Sequence, residues 1–229
     1  MKTKKQVTKL LKKNLTRKNK ANKKPKSCSL KTTGKYDKIY KKLNGKGLNI
    51  GMITVPLSPT KQFFQVCGDS YIASSHISWL KRYGVNIIPI PWSTKKFDYY
   101  IKLCNGFYFP SGGAFAGTQK EYFNCCKTFF NLAIKQNDKG IHTPIWGGCM
   151  GMQQMMIIAD GKNDLTKLLQ KFDSFDNLLS TLDFTENGLN SRMVRDMTVA
   201  QINKLSKRKC TLNNHKMGIT PHKFKMRKA

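Results

Sequence analysis

The chain has 229 residues, with 42 Lys and Arg against 12 Asp and Glu, for a net charge of +30. This length suits one or two domains with a sizeable core. No apolar run reaches the roughly 18 residues that a transmembrane helix needs, and no apolar segment follows the N-terminal lysines as in a signal peptide. We therefore expect no membrane partner and an intracellular location, cytoplasmic or nuclear, with a virion as the alternative if the source is a large DNA virus.

The excess charge is concentrated at the two ends of the chain. Residues 1–47 hold 18 basic side chains and one acidic side chain. Residues 48–203 hold 15 basic and 11 acidic side chains, and residues 204–229 hold nine basic and no acidic side chains. Three interpretations of the N-terminal arm stay open: a solvated, disordered segment, a nucleic-acid or anionic-surface arm, or a nuclear import signal around residues 23–26. A polyanion such as nucleic acid is thus a candidate partner of both ends.

Seven cysteines are present, an odd number, and none forms a Cys-x-x-Cys pair. This pattern argues against a disulfide scaffold and against a cysteine-rich zinc site, and it fits a reducing compartment. We expect no metal and no cofactor.

Between the basic ends, apolar runs alternate with segments of helical periodicity. In chain order, the pattern predicts strands and helices over residues 48–56 (strand), 71–83 (helix), 85–90 (strand), 97–103 (helix), 106–109 (strand), 120–136 (helix), 143–146 (strand) and 150–159 (helix). Such alternation indicates an α/β fold with a parallel sheet and helices on both faces, whose ligands bind at the carboxyl ends of the strands. The predicted folded domain spans residues 48–224, followed by a basic tail over 225–229.

One strand runs directly into a helix through the sequence Trp146-Gly-Gly-Cys-Met-Gly151. The glycines permit a tight turn that projects Cys149 into the crevice. The helix N-terminus supplies N–H groups and partial positive charge, which stabilise a thiolate and an oxyanion. We interpret Cys149 as a nucleophile; the alternative is a buried cysteine in a glycine-rich turn. The loop over residues 110–113 is either a second source of oxyanion donors or an ordinary turn.

The middle of the chain resembles the gamma-glutamyl hydrolases (peptidase family C26) of the class I glutamine amidotransferase-like group. The resemblance covers about residues 48–224, in order, and rests on GMITVP, SYIASSHISWLKRYGVNIIPIPW, NGFYFPSGG, TPIWGGCMGMQ, LDFTENGLNSRM and LNNHKMGITPHKF. It implies a three-layer, flavodoxin-like parallel sheet with helices on both faces.

By this resemblance, Cys149 corresponds to the catalytic nucleophile. Its thiolate would attack the gamma-amide carbonyl of a folylpoly-gamma-glutamate-like substrate and form an acyl-enzyme. Gly112, Gly113 and the backbone amide of Met150 would line the oxyanion site.

The resemblance also implies roles for residues away from the turn. Tyr71 matches a substrate-pocket position, and His215 matches the second active-site histidine of the family, here a candidate substitute base. Two positions depart from the pattern. Gln153, which we group with the oxyanion and substrate-binding residues, stands where the hydrolases usually have Glu, and Ser111 stands where they usually have Gly.

A further departure concerns the end of the chain. The triad histidine of the family lies in a Trp-His-Pro-Glu segment beyond Asn-His-Lys, and this sequence contains no His-Pro-Glu. We therefore expect the final strands of the fold to be missing, which would expose a sheet edge and favour a homodimer. Of the other histidines, His76 is expected in the core, His142 at the start of a buried strand, and His222 in solvent.

Two functions remain open from the sequence. The first is a gamma-glutamyl hydrolase, acting on a small-molecule substrate whose anionic glutamates the basic ends would attract. The second is an inactive or impaired relative that binds nucleic acid or another polyanion.

Overall fold

The computed structural model describes residues 47–57, 68–114, 120–161 and 168–225. The predicted arm, apart from Gly47, lies outside these ranges, and so does the segment 23–26. The predicted domain boundaries therefore stay predictions.

Strands and helices alternate through the first part of the described chain. The strands are β1 (Asn49–Ile53), β2 (Val55–Pro56), β3 (Ser70–Tyr71), β4 (Asn86–Ile90), β5 (Gly106–Phe109), β6 (Ile145–Gly147), β7 (Gln170–Ser180) and β8 (Thr211–Gly218). The helices are α1 (Ser74–Lys81), α2 (Phe97–Leu103), α3 (Lys120–Asp138), α4 (Met150–Asp160), α5 (Glu186–Leu189), α6 (Val199–Lys207) and α7 (Pro221–Lys225).

Four strands form the central sheet in the order β4-β1-β5-β6, and every pair is parallel. The chain runs outward from β1 to β4 and then returns across β1 to β5, so the direction of winding reverses between β1 and β5. Ligands of such sheets bind at this reversal, outside the carboxyl ends of the strands. The sheet and its helices confirm the predicted α/β class.

Strand β5 shows which helices cover each face. Phe107 and Phe109 are buried, and the Phe107 ring lies 4.9 Å from that of Phe129 in α3. Tyr108 points to the opposite face, where its ring lies 6.0 Å from Trp79 of α1. Because side chains alternate along a strand, α1 and α3 lie on opposite faces of the sheet.

Three of the predicted elements differ from the structure. The predicted strand over 48–56 splits: β1 ends at Ile53, and Val55 pairs instead with Tyr71 in an antiparallel ribbon. This ribbon removes Tyr71 from the predicted helix over 71–83, which begins at Ser74. The predicted strand over 143–146 begins later, at Ile145, because Pro144 has no N–H to donate to the ladder.

The C-terminal part holds strands that the sequence pattern did not reveal. β7 and β8 pair in antiparallel fashion, with Gln170 opposite Gly218 and Lys171 opposite Met217. α6 begins with a capping box in which Thr198 and Gln201 bond to each other's backbone N–H. Among the described helices, none combines the length and the apolar character that a membrane span requires.

Candidate active site

Cys149 occupies the turn between β6 and α4, at the carboxyl edge of the sheet. Its backbone has φ 48° and ψ −109°, and it is the one non-glycine residue with positive φ in the described chain. A side chain in this region costs of order 1–3 kcal/mol of strain, which the surrounding contacts must offset. The side chain is exposed, so the turn holds a thiol in solvent at the first residue before a helix.

Close backbone contacts hold this turn in place. The Gly148 N–H donates to the Phe109 carbonyl over 3.0 Å, which ties the turn to the end of β5. A Cβ at Gly151 would collide with the same carbonyl oxygen, and a Cβ at Gly147 would lie 2.5 Å from the Met152 nitrogen. Glycine is therefore needed for the close approach that forces Cys149 outward.

The loop after β5 brings several predicted site residues together. A Cβ at Gly112 would lie 2.9 Å from Val55 Cγ1, 3.2 Å from the Tyr71 hydroxyl and 3.3 Å from Met150 Cε. Gly113, in contrast, has open space around it. Tyr71, Gly112 and Met150 thus lie close together, beside the turn that carries Cys149.

Gln153 is buried, with 4% of its surface exposed, one turn into α4. Its side-chain amide donates to the Met217 carbonyl over 2.6 Å, a bond between α4 and β8. His215 Nδ1 lies 3.1 Å from the same carbonyl. The structure therefore connects His215 to the helix that follows Cys149 through Met217.

A neighbouring glutamine was missed by the sequence analysis. Gln154 is 1% exposed, and its side-chain amide donates to the Ala114 carbonyl over 3.1 Å. It anchors the loop that contains Gly112 and Gly113 to α4. Its position beside Gln153 was the only available signal, because the sequence does not reveal which loop a buried amide holds.

His76 was expected in the core, and this expectation was wrong. It is half-buried on α1, with Nε2 2.8 Å from Ser111 Oγ and Nδ1 3.0 Å from the Tyr108 hydroxyl. The helical spacing suggested a buried face, but no residue of α1 is fully buried. The helix instead places His76 over the loop that follows β5.

Two other histidines, His142 and His222, are exposed to solvent. His142 is exposed in the loop before β6, so the expectation of a buried strand there was wrong. His222 is exposed in α7, as predicted.

The thiols differ sharply in their surroundings. Burial raises the pKa of Cys104 and of Cys125 to about 12, which keeps both protonated and unreactive near neutral pH. Cys149 and Cys210 are exposed. Within the described ranges, no three His, Cys, Asp or Glu side chains are arranged to hold a metal ion.

Curated proteins with similar sequences share one name. The chain is 31% identical to the human gamma-glutamyl hydrolase over 161 residues, 69% of this chain and 49% of that protein. It is 30% identical to the mouse gamma-glutamyl hydrolase over 159 residues (69% and 48%) and 31% identical to gamma-glutamyl hydrolase 1 of Arabidopsis thaliana over 163 residues (70% and 45%). No protein-family model matches the chain.

The matches cover most of this chain but only part of its relatives: the chain spans about half the length of the curated hydrolases. The parallel order β4-β1-β5-β6 is consistent with the glutamine amidotransferase-like fold expected from the resemblance. In its sequence, the matched part of the chain is similar to the gamma-glutamyl hydrolases.

Proposed function

We propose that this chain is a cysteine hydrolase of gamma-glutamyl bonds, with Cys149 as its nucleophile. The observation that carries the proposal is the exposed thiol in a strained turn between a parallel strand and a helix. The names of the similar curated proteins supply the bond type, and the resemblance in the sequence supplies folylpoly-gamma-glutamates as the substrate class.

The reaction would proceed in two steps. The Cys149 thiolate adds to the gamma-amide carbonyl, the C–N bond breaks, and the amine leaves with a proton. Water then adds to the thioester, and the C–S bond breaks to release the acid and the thiol. Oxyanion donors in the first step would be the Met150 amide and the backbone of Gly112 and Gly113.

The other predicted residues have supporting roles in this proposal. The Tyr71 hydroxyl would lie 3.2 Å from a Cβ at Gly112, and this proximity supports a role for Tyr71 in binding the substrate. The Met217 carbonyl can only accept, so in this hydrogen bond His215 donates from Nδ1, and His215 is the candidate substitute base in this proposal. Gln153 holds the strand end on which His215 lies.

The test uses the full chain, a folyl gamma-glutamate conjugate and two matched variants. Cys149→Ala should lower kcat/KM by about 10⁴-fold or more, because removal of a nucleophile eliminates the acyl-enzyme path. Cys210→Ala removes another exposed thiol and should leave the rate unchanged. A folded wild-type chain without turnover, or turnover that survives Cys149→Ala, would contradict the proposal.

A polyanion-binding function is the second candidate. It is favoured by the net charge of +30 and by the exposure of C-terminal basic side chains. These are Lys204, Lys207, Arg208, Lys209 and Lys216. The two functions are compatible, since a polyglutamate tail is itself an anion.

A further inference from the structure

A polar network lies beside Cys149 and is not used in the reaction as described above. Both ring nitrogens of His76 have partners, Ser111 Oγ at 2.8 Å and the Tyr108 hydroxyl at 3.0 Å. The His76 and Tyr108 rings lie 5.2 Å apart. One histidine of α1 therefore holds both a side chain of β5 and the loop that follows this strand.

The other side of the Tyr108 hydroxyl faces the turn that carries Cys149. A Cβ at Gly148 would lie 2.5 Å from this hydroxyl, so a glycine is required for the two to meet. Burial raises the pKa of Tyr108, and the negative charge of the Cys149 thiolate raises it further. Tyr108 thus lies between His76 and the residue next to Cys149, within electrostatic range of the sulfur.

The protonation states of this network are restricted. A neutral imidazole has one nitrogen that donates and one that accepts, whereas the two hydroxyl groups can do either. Burial lowers the pKa of His76, so that the ring is a neutral base near pH 7. When Nε2–H donates to Ser111 Oγ, the lone pair on Nδ1 accepts a hydrogen bond from the Tyr108 hydroxyl.

We propose that Tyr108 and His76 form a proton relay for the Cys149 thiol, with Tyr108 against the turn that carries this thiol and His76 as the positioning residue behind it. The S–H proton passes to Tyr108 Oη while the Tyr108 proton passes to His76 Nδ1. The products are a thiolate and an imidazolium, with no change in total charge. The inference deepens the proposed function, because it rests on Cys149 being the nucleophile.

The same path runs in reverse when the amine leaves. The imidazolium returns its Nδ1 proton to Tyr108, and Tyr108 gives its own proton to the departing nitrogen as the C–N bond breaks. Ser111 keeps the ring oriented throughout by its bond to Nε2. No oxidant, metal or second substrate is needed for this transfer.

The ionisable groups around His76 are few, which makes the relay testable by pH. β4 packs against α1, and β6 reaches it through the Trp79 and Trp146 rings. The sequences of these two strands, NIIPI and IWG, contain no ionisable side chain. In the part of the chain that the structure describes, Tyr108 from β5 is the titratable side chain bonded to His76, and Lys81 lies at the far end of α1.

The test follows alkylation of individual cysteines by iodoacetamide in the full chain, from about pH 5 to about pH 10, by peptide mass spectrometry. The exposed Cys210 is an internal reference, and the buried Cys104 and Cys126 report folding because they react only if the core opens. In the wild type, Cys149 should react about tenfold faster than Cys210 at neutral pH, since the rate follows the thiolate fraction.

Two variants interrupt the relay, and each has a matched control. Tyr108→Phe and His76→Gln should bring the Cys149 rate to within about threefold of Cys210 and move its profile to higher pH. Tyr83→Phe and His222→Gln make the same substitutions at exposed positions and should leave the profile unchanged.

Several outcomes would overturn the relay. Cys149 and Cys210 could share one profile in the wild type, or the Cys149 profile could persist in both relay variants. If His76→Gln exposes the buried thiols, Tyr108→Phe decides, because it keeps the ring beside Trp79; if both variants unfold, the wild-type profile decides. Loss of hydrolysis with this coupling intact would refute the proposed function alone, and hydrolysis without the coupling would refute the relay alone.

Discussion

Gln153 and His215 meet at a single backbone oxygen, the carbonyl of Met217. The Gln153 amide donates to it over 2.6 Å, and His215 Nδ1 approaches it to 3.1 Å. The two residues come from different parts of the chain, α4 and β8. Their common partner fixes the end of β8 against the helix that begins at the Cys149 turn.

This junction predicts that Gln153→Ala lowers the stability of the fold. The substitution removes the Gln153 donor, which leaves His215 as the partner of the Met217 carbonyl, and opens a cavity; together these should lower the free energy of unfolding by about 1–3 kcal/mol. Met152→Ala, at the exposed neighbouring position of α4, should change it by less than about 0.5 kcal/mol. Urea unfolding of both variants measures the difference, and equal midpoints would show that the bond is unimportant.

Alanine substitutions at the two adjacent glycines of the loop after β5 should differ in their effect on stability. Gly112→Ala would press a methyl group against Val55, which is 1% exposed and cannot move aside. We expect a loss of about 1–3 kcal/mol in unfolding free energy and about 10²-fold in hydrolysis, because the oxyanion donors are displaced. Gly113→Ala enters open space and should unfold at the wild-type midpoint; an equal loss of stability in the two variants would contradict the packing argument.

The lowered pKa of His76 predicts a pH dependence of stability. Burial disfavours the charged ring, so between the folded pKa and the unfolded value near 6.5 the unfolded chain binds more protons. Stability should therefore be highest above this value and fall as the pH is lowered through it. Unfolding at about pH 7.5 and about pH 5.5 should show a smaller decrease for His76→Gln than for the wild type, whereas the exposed His222→Gln should behave as wild type.

The basic ends predict binding of polyanions with a strong salt dependence. Each phosphate contact should contribute about −0.9 to the slope of log affinity against log salt. Removal of residues 1–47, which hold 18 of the 42 basic side chains, should make this slope shallower for duplex DNA. Identical slopes for the full chain and for the chain without residues 1–47 would exclude the arm as the binding element. In a separate measurement of hydrolysis, a kcat/KM that does not depend on salt would exclude attraction of an anionic substrate by the basic ends.

Local sequence signals were sufficient for the sheet and for the turn that carries Cys149. The strand over 106–109 and the helix over 97–103 were predicted with the bounds that the structure gives. The turn could likewise be predicted from the Gly-Gly-Cys-Met-Gly sequence, because a strained turn depends on its own residues and on the strand beside it.

The roles of His76 and Tyr108 could not be predicted in this way. The spacing of Ile72, His76 and Trp79 fits the buried face of a helix, and an apolar strand can contain a tyrosine for many reasons. Their hydrogen bond joins residues 32 positions apart, so it depends on how α1 crosses the sheet. The β7–β8 pairing was missed for a similar reason, since its register joins residues up to 48 positions apart.

The four residues of strand β5 contribute both to the hydrophobic core and to the polar network beside the Cys149 turn. Phe107 and Phe109 fill the core on the α3 face, while Tyr108 between them faces His76 and Trp79. A slip of one residue against β1 would turn the tyrosine hydroxyl into the core and both phenylalanines toward α1. The pairing of Gly51 with Phe107 and of Met52 with Tyr108 is therefore as much a requirement for the site as it is for the fold.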